Sequence, residues 1–206
     1  MLVIFLLILP ACLCQFNDTG IQNFINAHNN LRSEIANGKY IAKNNIQKAA
    51  GTNIMKMTWD EDLATASQSF ASSCPVDHST DRVNIGENLY FWQTGKKTTL
   101  DVNNYLAISS CKLWADEFQK NGWNSNDFTY DLFHTEIGHA TQMAWAASKK
   151  VGCGVQKCDV GDGTKYVVVC QYYPAGNVIG RKIYETGDTC SNCPSGSSCG
   201  SDGLCA

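Results

Sequence analysis

Between Gly20 and Gly38 the apolar positions Ile21, Phe24, Ile25, Leu31 and Ile35, with His28 among them, recur every three or four residues. That spacing predicts an amphipathic helix, and Gly38 ends it. Residues 39–53 are polar with little periodicity and read as a surface loop. A second helical stripe follows in Trp59, Leu63, Ala66, Phe70 and Ala71, with Thr58 as its expected cap and Cys74-Pro75 as its stop. A third covers 103–121, where Ala107, Cys111, Trp114 and Phe118 share a face and Gly122 breaks the run.

Past Gln142 the period changes. MAWAA, VGCGV and YVVVCQYY are short apolar runs that read as strands, with GDGT at 161–164 as a hairpin turn. Helices before and among strands predict a sheet covered by helices, a layered α/β or α+β domain rather than a bundle. Composition shifts at Thr186. The last 21 residues hold four cysteines, no aromatic residue and one large aliphatic side chain, Leu204. Such a tail has no core of its own, so disulfides must staple it.

The chain opens with MLVIFLLILPACLC, in which Leu2 to Leu9 is an unbroken apolar run followed by Pro10 and small residues. This reads as a signal peptide cut after Cys14, because a bilayer span needs roughly 20 apolar residues. The expected organisation is a signal segment at 1–14, one domain at 15–185 and a cysteine-rich tail at 186–206, secreted and without a transmembrane segment. A net charge of −3 with no run of either sign removes the electrostatic basis for binding nucleic acid or an anionic membrane. Of eleven cysteines nine follow Cys14, so one is either free or paired between molecules. Asn17-Asp18-Thr19 is a glycosylation sequon at the expected mature terminus.

The densest chemistry lies in FHTEIGHATQMAW, residues 133–145. His134 and His139 are five apart, which places them about 140° from each other around a helix, so they diverge. The zinc-protease signature spaces its histidines four apart, with the glutamate directly after the first. His134 and Glu136 are therefore read as bystanders, and His139 as one corner of a site assembled from distant segments. Neither a GxSxG elbow nor a cysteine in a recognisable catalytic context supplies a nucleophile.

GHATQMAWAAS at 138–148 and VVVCQYYPAGNV at 167–178 resemble the paired signature of the CAP superfamily, the group of cysteine-rich secretory proteins, antigen 5 allergens and plant pathogenesis-related proteins. Ala140 departs from it, since the family usually carries an aromatic there, and the departure implies a more open cleft wall. HNNLR at 28–32, DHS at 77–79, GENLY at 86–90 and LWADEF at 113–118 extend the resemblance over nearly the whole expected mature chain. MKMTWDEDLA from Met55, Cys74-Pro75 and the tail are similar to the nematode activation-associated secreted and venom-allergen-like branch. The tail resembles that branch's hinge segment and stops before the longer cysteine-rich domain of some relatives.

The resemblance implies an α+β, three-layer α-β-α sandwich with a short disulfide-stapled tail. It implies a cleft lined by His78, Glu87, Glu117 and His139. Two neutral imidazoles can hold zinc or another divalent cation, with Glu87 or Glu117 as general base if the protein is an enzyme. Equally, histidine and glutamate pairs can exist to satisfy each other. Asn88, Tyr90 and Gln142 are read as framework, and Trp59, Trp114 and Trp145 as core. The implied disulfides are Cys74–Cys153, Cys158–Cys170, Cys190–Cys199 and Cys193–Cys205. Cys111 is left over, as a buried thiol or an intermolecular link. The implied role is an extracellular binding module for a metal ion, a lipid or sterol, or a protein partner, as a monomer or weak homodimer. Metal-assisted hydrolysis at the same cleft is the alternative, and a channel-directed or immune effector is a third.

Overall fold

In the computed structural model, which describes residues 15–206, Asn17 opens α1 (Asp18–Ala36). The predicted signal segment lies outside the described residues. The Asn17 side-chain oxygen accepts the N–H groups of Thr19 and Gly20 and satisfies two orphan donors of the first turn. The helix buries Phe24, His28, Leu31, Arg32 and Ile35. Within the predicted loop, β1 (Ile41–Ala42) and β2 (Ile46–Gln47) form a small antiparallel pair, and Tyr40 and Ala42 point inward. Thr58 is not a helix cap, because Thr58–Trp59 is a short strand, β3, that pairs parallel to a later one. Asp60 caps α2 (Glu61–Ser72), accepting from the Leu63 N–H at 3.0 Å.

Beyond α2 come β4 (Gly86–Thr94), a π-helical turn at Val102–Leu106, α3 (Ala107–Ala115) and α4 (Glu117–Lys120), so the third predicted helix is three successive pieces. Then follow β5 (Asp127–Phe128), α5 (Tyr130–Phe133), α6 (Gly138–Ala144), β6 (Lys150–Val160), β7 (Gly163–Tyr173) and β8 (Arg181–Lys182). The predicted strand MAWAA is instead the end of α6 and the turn after it. A short apolar run has no period to separate strand from helix. Arg32, itself buried, decides the local conformation by donating to the carbonyls of Met143, Trp145, Ala146 and Ser148 and to that of Met55.

The main sheet has the order β3-β6-β7-β4, with β6, β7 and β4 antiparallel. Val160 pairs with Gly163 across a two-residue turn whose Gly161 has φ +63°, a conformation that favours glycine. One face packs on α2 at close range: a Cβ at Gly152 would stand 2.1 Å from the Ala64 nitrogen, and one at Gly154 2.3 Å from the Gln68 Cα. The other face sends Val151, Val155, Tyr166, Val168 and Tyr172 into the main core with residues of α1, α3 and α6. The result is the three-layer α-β-α sandwich with a tail held by Cys190–Cys199 and Cys193–Cys205.

The first two disulfides differ from those the resemblance implies. Cys74 pairs with Cys158, and Cys153 with Cys170, in place of Cys74–Cys153 and Cys158–Cys170. The pleat explains it. Residues 153 and 158 are an odd number apart on β6 and point to opposite faces. Cys158 shares the α2 face with Ala71, Val167 and Val169, where the chain leaving α2 brings Cys74. Cys153 lies on the other face, directly opposite Cys170 in the β6–β7 register, with Cα atoms 4.1 Å apart. Cys111 is a free thiol with 1% exposure, and burial pushes its pKa up, so the intermolecular disulfide has no accessible thiolate behind it.

Candidate functional site

Glu117 begins α4, and both its carboxylate oxygens turn to the start of α6. Oε2 accepts the backbone N–H groups of His139 and Ala140, each at 3.0 Å, supplying the cap that this helix lacks locally. Oε1 lies 2.5 Å from His139 Nδ1. The Trp114 indole runs parallel to the His139 ring, within 13° and 6.1 Å between centroids, and its N–H donates to the Leu89 carbonyl. Asn88 donates from β4 to the His139 carbonyl at 3.1 Å. His139 is thereby held at its ring, its amide and its carbonyl.

The second pair is built in the same way from the other side of the edge strand β4. His78 Nδ1 lies 2.9 Å from Glu87 Oε1, which also accepts the Ser79 N–H. Glu87 Oε2 accepts from the Ser79 hydroxyl at 2.8 Å and from Gln171 Nε2 at 3.0 Å. Burial alone would raise the Glu87 carboxyl, but the hydrogen bonds from His78, Gln171 and Ser79 outweigh it and bring its pKa down to about 2. Glu87 is thus a carboxylate at any physiological pH.

A carboxylate on Nδ1 makes that nitrogen the donor, which leaves the Nε2 lone pair of a neutral ring free. No described residue hydrogen-bonds to Nε2 of His78 or His139. Both rings line one cavity of about 590 Å³ together with Glu87 and Glu117. The four predicted residues therefore converge on one cavity as two orienting pairs. They are not a collapsed four-ligand cage. Among the described residues, three or more ligand-type atoms lie within 4.8 Å of one another only at Cys190, Cys193 and Cys205, whose sulfurs are consumed in disulfides.

The same cavity is lined by His134 and Glu136, the residues read as bystanders, and by Asn121, Phe133 and Asn177. Helical divergence does not separate His134 from His139, because α5 ends at Phe133 and Glu136, at φ +60°, reverses the chain before α6. The Glu136 carbonyl is held by Asn121 Nδ2 at 2.8 Å. Asn177 bridges the Gly138 carbonyl and the Thr141 hydroxyl, a role carried by the PAGNV stretch. Ala140 is not a cleft wall: it is fully buried in the core.

A polar chain ties the cavity to α1. His28 Nδ1 lies 2.7 Å from the Phe24 carbonyl and so donates to it, leaving Nε2 to accept from the Tyr172 hydroxyl at 2.9 Å. The Tyr172 oxygen in turn accepts from Asn88, the residue that holds the His139 carbonyl. Burial holds the His28 pKa at about 4, so the ring is neutral and this direction of donation is fixed. Gln142 is framework as predicted, donating to Ser148 and accepting from Gly176.

Comparison with known proteins shows what the chain is similar to. Residues 25–172 match the profile of the Cysteine-rich secretory protein family, CAP. Venom allergen 3 of Solenopsis invicta is 32% identical over 187 residues, 85% of this chain and 78% of that protein. The Ancylostoma secreted protein of Ancylostoma caninum is 35% identical over 199 residues, 92% of this chain but 44% of that longer protein. Among solved structures, NaASP2 with Zn2+ superposes with a TM-score of 0.80 at 30% identity, covering 93% of this chain and 97% of that one. BmVAL-1 gives 0.84 at 28% identity, covering 96% and 98%.

Proposed function

Because this chain belongs to the cysteine-rich secretory protein (CAP) family, we propose that it is a secreted binding module whose cavity holds a divalent cation, zinc foremost, on Nε2 of His78 and His139. One observation carries the reading: each imidazole is held through Nδ1 by its own glutamate, its second nitrogen has no hydrogen-bond partner among the described residues, and both rings line one cavity. The donor chemistry fits zinc, which takes neutral imidazole nitrogen. A structure similar to this chain, NaASP2, is described with Zn2+, which supports the same assignment. Four disulfides suit an oxidising, extracellular setting. No helix of the described residues is long and apolar enough to cross a membrane.

A cation held there by His78 and His139 would supply a Lewis acid or an electrostatic anchor. What the chain's own residues do favours the anchor. Glu87 accepts four hydrogen bonds and Glu117 three, so both are occupied in orienting imidazoles and neither is free to take a proton from water. That supports a binding reading over hydrolysis. The cavity is far larger than an ion, and the room left beside Phe133, Asn121 and Asn177 suits a ligand or partner group carried on the cation.

Calorimetric titration of the folded, glycan-free protein with zinc tests this. One site is expected, abolished in the His78→Ala, His139→Ala double variant. Equal heats from both proteins would refute the assignment and return the tetrad to a structural role.

A further inference from the structure

A second cavity, of about 480 Å³, lies on the α2 side of the sheet and shares a wall with the first. That wall is the Glu87 support: Ser79 and Gln171 line the second cavity and hydrogen-bond to Glu87, which lines the first. Arg82 also lines it, with Nε donating to the Ser79 carbonyl at 3.0 Å and standing 3.8 Å from Glu87 Oε1. The two terminal guanidinium nitrogens of Arg82 have no hydrogen-bond partner among the described residues. Ser69 adds a free hydroxyl, the Ser73 hydroxyl donates to the Phe70 carbonyl at 2.7 Å, and Phe70, Val83 and Ile85 supply an apolar wall.

These groups define what fits. A guanidinium with its outer edge free, beside the Ser69 hydroxyl, recognises an oxyanion, and bidentate pairing is the geometry guanidinium prefers. The apolar wall adds a preference for an organic body. Asp81 shares the rim, and its like charge penalises a second negative charge on the ligand. We propose that this cavity is a binding site for an organic monoanion, a carboxylate or sulfonate on a small aromatic or aliphatic body, with Arg82 as its anchor. The site stands independently of the cation reading.

Benzenesulfonate is a suitable probe, because it stays charged at all working pH values and is a poor zinc ligand. Titration into the zinc-free protein, followed by amide chemical shifts, is expected to give saturable shifts centred on Ser69, Ser73, Ser79 and Arg82. Arg82→Gln is expected to weaken binding at least tenfold, Arg82→Lys to retain part of it, and His139→Ala to leave it unchanged. An unchanged melting temperature shows that each variant is folded. Should wild type show no saturable shifts, should Arg82→Gln titrate like wild type, or should the shifts centre on His139 and Phe133, the proposal is overturned.

Discussion

At the residue scale, the proposed site depends on the groups that hold its imidazoles. Glu117 closes the first turn of α6 and fixes the His139 ring with one carboxylate. Glu117→Gln replaces one acceptor oxygen by a donor that faces N–H groups. Zinc affinity measured by calorimetry is expected to fall by about 10- to 100-fold, the scale for losing an orienting partner, with one-to-one stoichiometry kept. His28 makes a prediction about pH. Its folded pKa of about 4 lies below the ordinary imidazole value of 6.5, so the unfolded chain binds more protons between these values. Stability therefore falls as pH drops from 6.5 towards 4, by about 3 kcal/mol in all at 1.36 kcal/mol per pKa unit. Glu87 adds to the loss lower down, as pH falls from 4.5 to about 2. Denaturant midpoints across this range should slope less steeply for His28→Gln than for wild type; parallel slopes would remove His28 as the cause.

At the element scale, the sheet and α2 make the firmest demands. Gly152→Ala would drive a methyl group into the α2 backbone at Ala64, which is no flexible side chain. A loss of about 1–3 kcal/mol or more in chemical denaturation is expected, the cost of overpacking. The pleat also fixes the disulfides, and peptide mapping without reduction should recover Cys74 with Cys158 and Cys153 with Cys170. The helical stripes of α1 and α2 were legible because their period holds over many residues, and the strands β6 and β7 because valine-rich runs flank the GDGT turn. MAWAA was not, since five apolar residues in a row show no period. The disulfide partners were not, because the face of each cysteine depends on where the strands begin. The four cleft residues were legible only through the resemblance. His134 and Glu136 were dismissed by helical geometry that the turn at Glu136 sets aside.

At the scale of the whole molecule, the two cavities meet at Glu87. A cation bound on one side and an anion bound beside Arg82 on the other would attract across a shared wall, and linkage would make the effect reciprocal. Benzenesulfonate at saturation is expected to tighten zinc binding by about threefold, the scale of charges coupled across a screened wall, and Arg82→Gln to remove the effect. The same molecule makes the edge strand β4 the meeting point of both helical layers: His78 and Glu87 reach the cavity from the α2 side, His139 and Glu117 from the other. The central claim is that two glutamates hold two imidazoles so that both Nε2 atoms stay free for one cation. Long-range proton–nitrogen NMR of the histidine side chains in alkaline solution, before and after one equivalent of zinc, tests it most directly. The structure predicts that His78 and His139 carry their proton on Nδ1 in the zinc-free protein, and that zinc shifts Nε2 of these two rings. Protonation on Nε2, or a zinc response confined to other histidines, would contradict it.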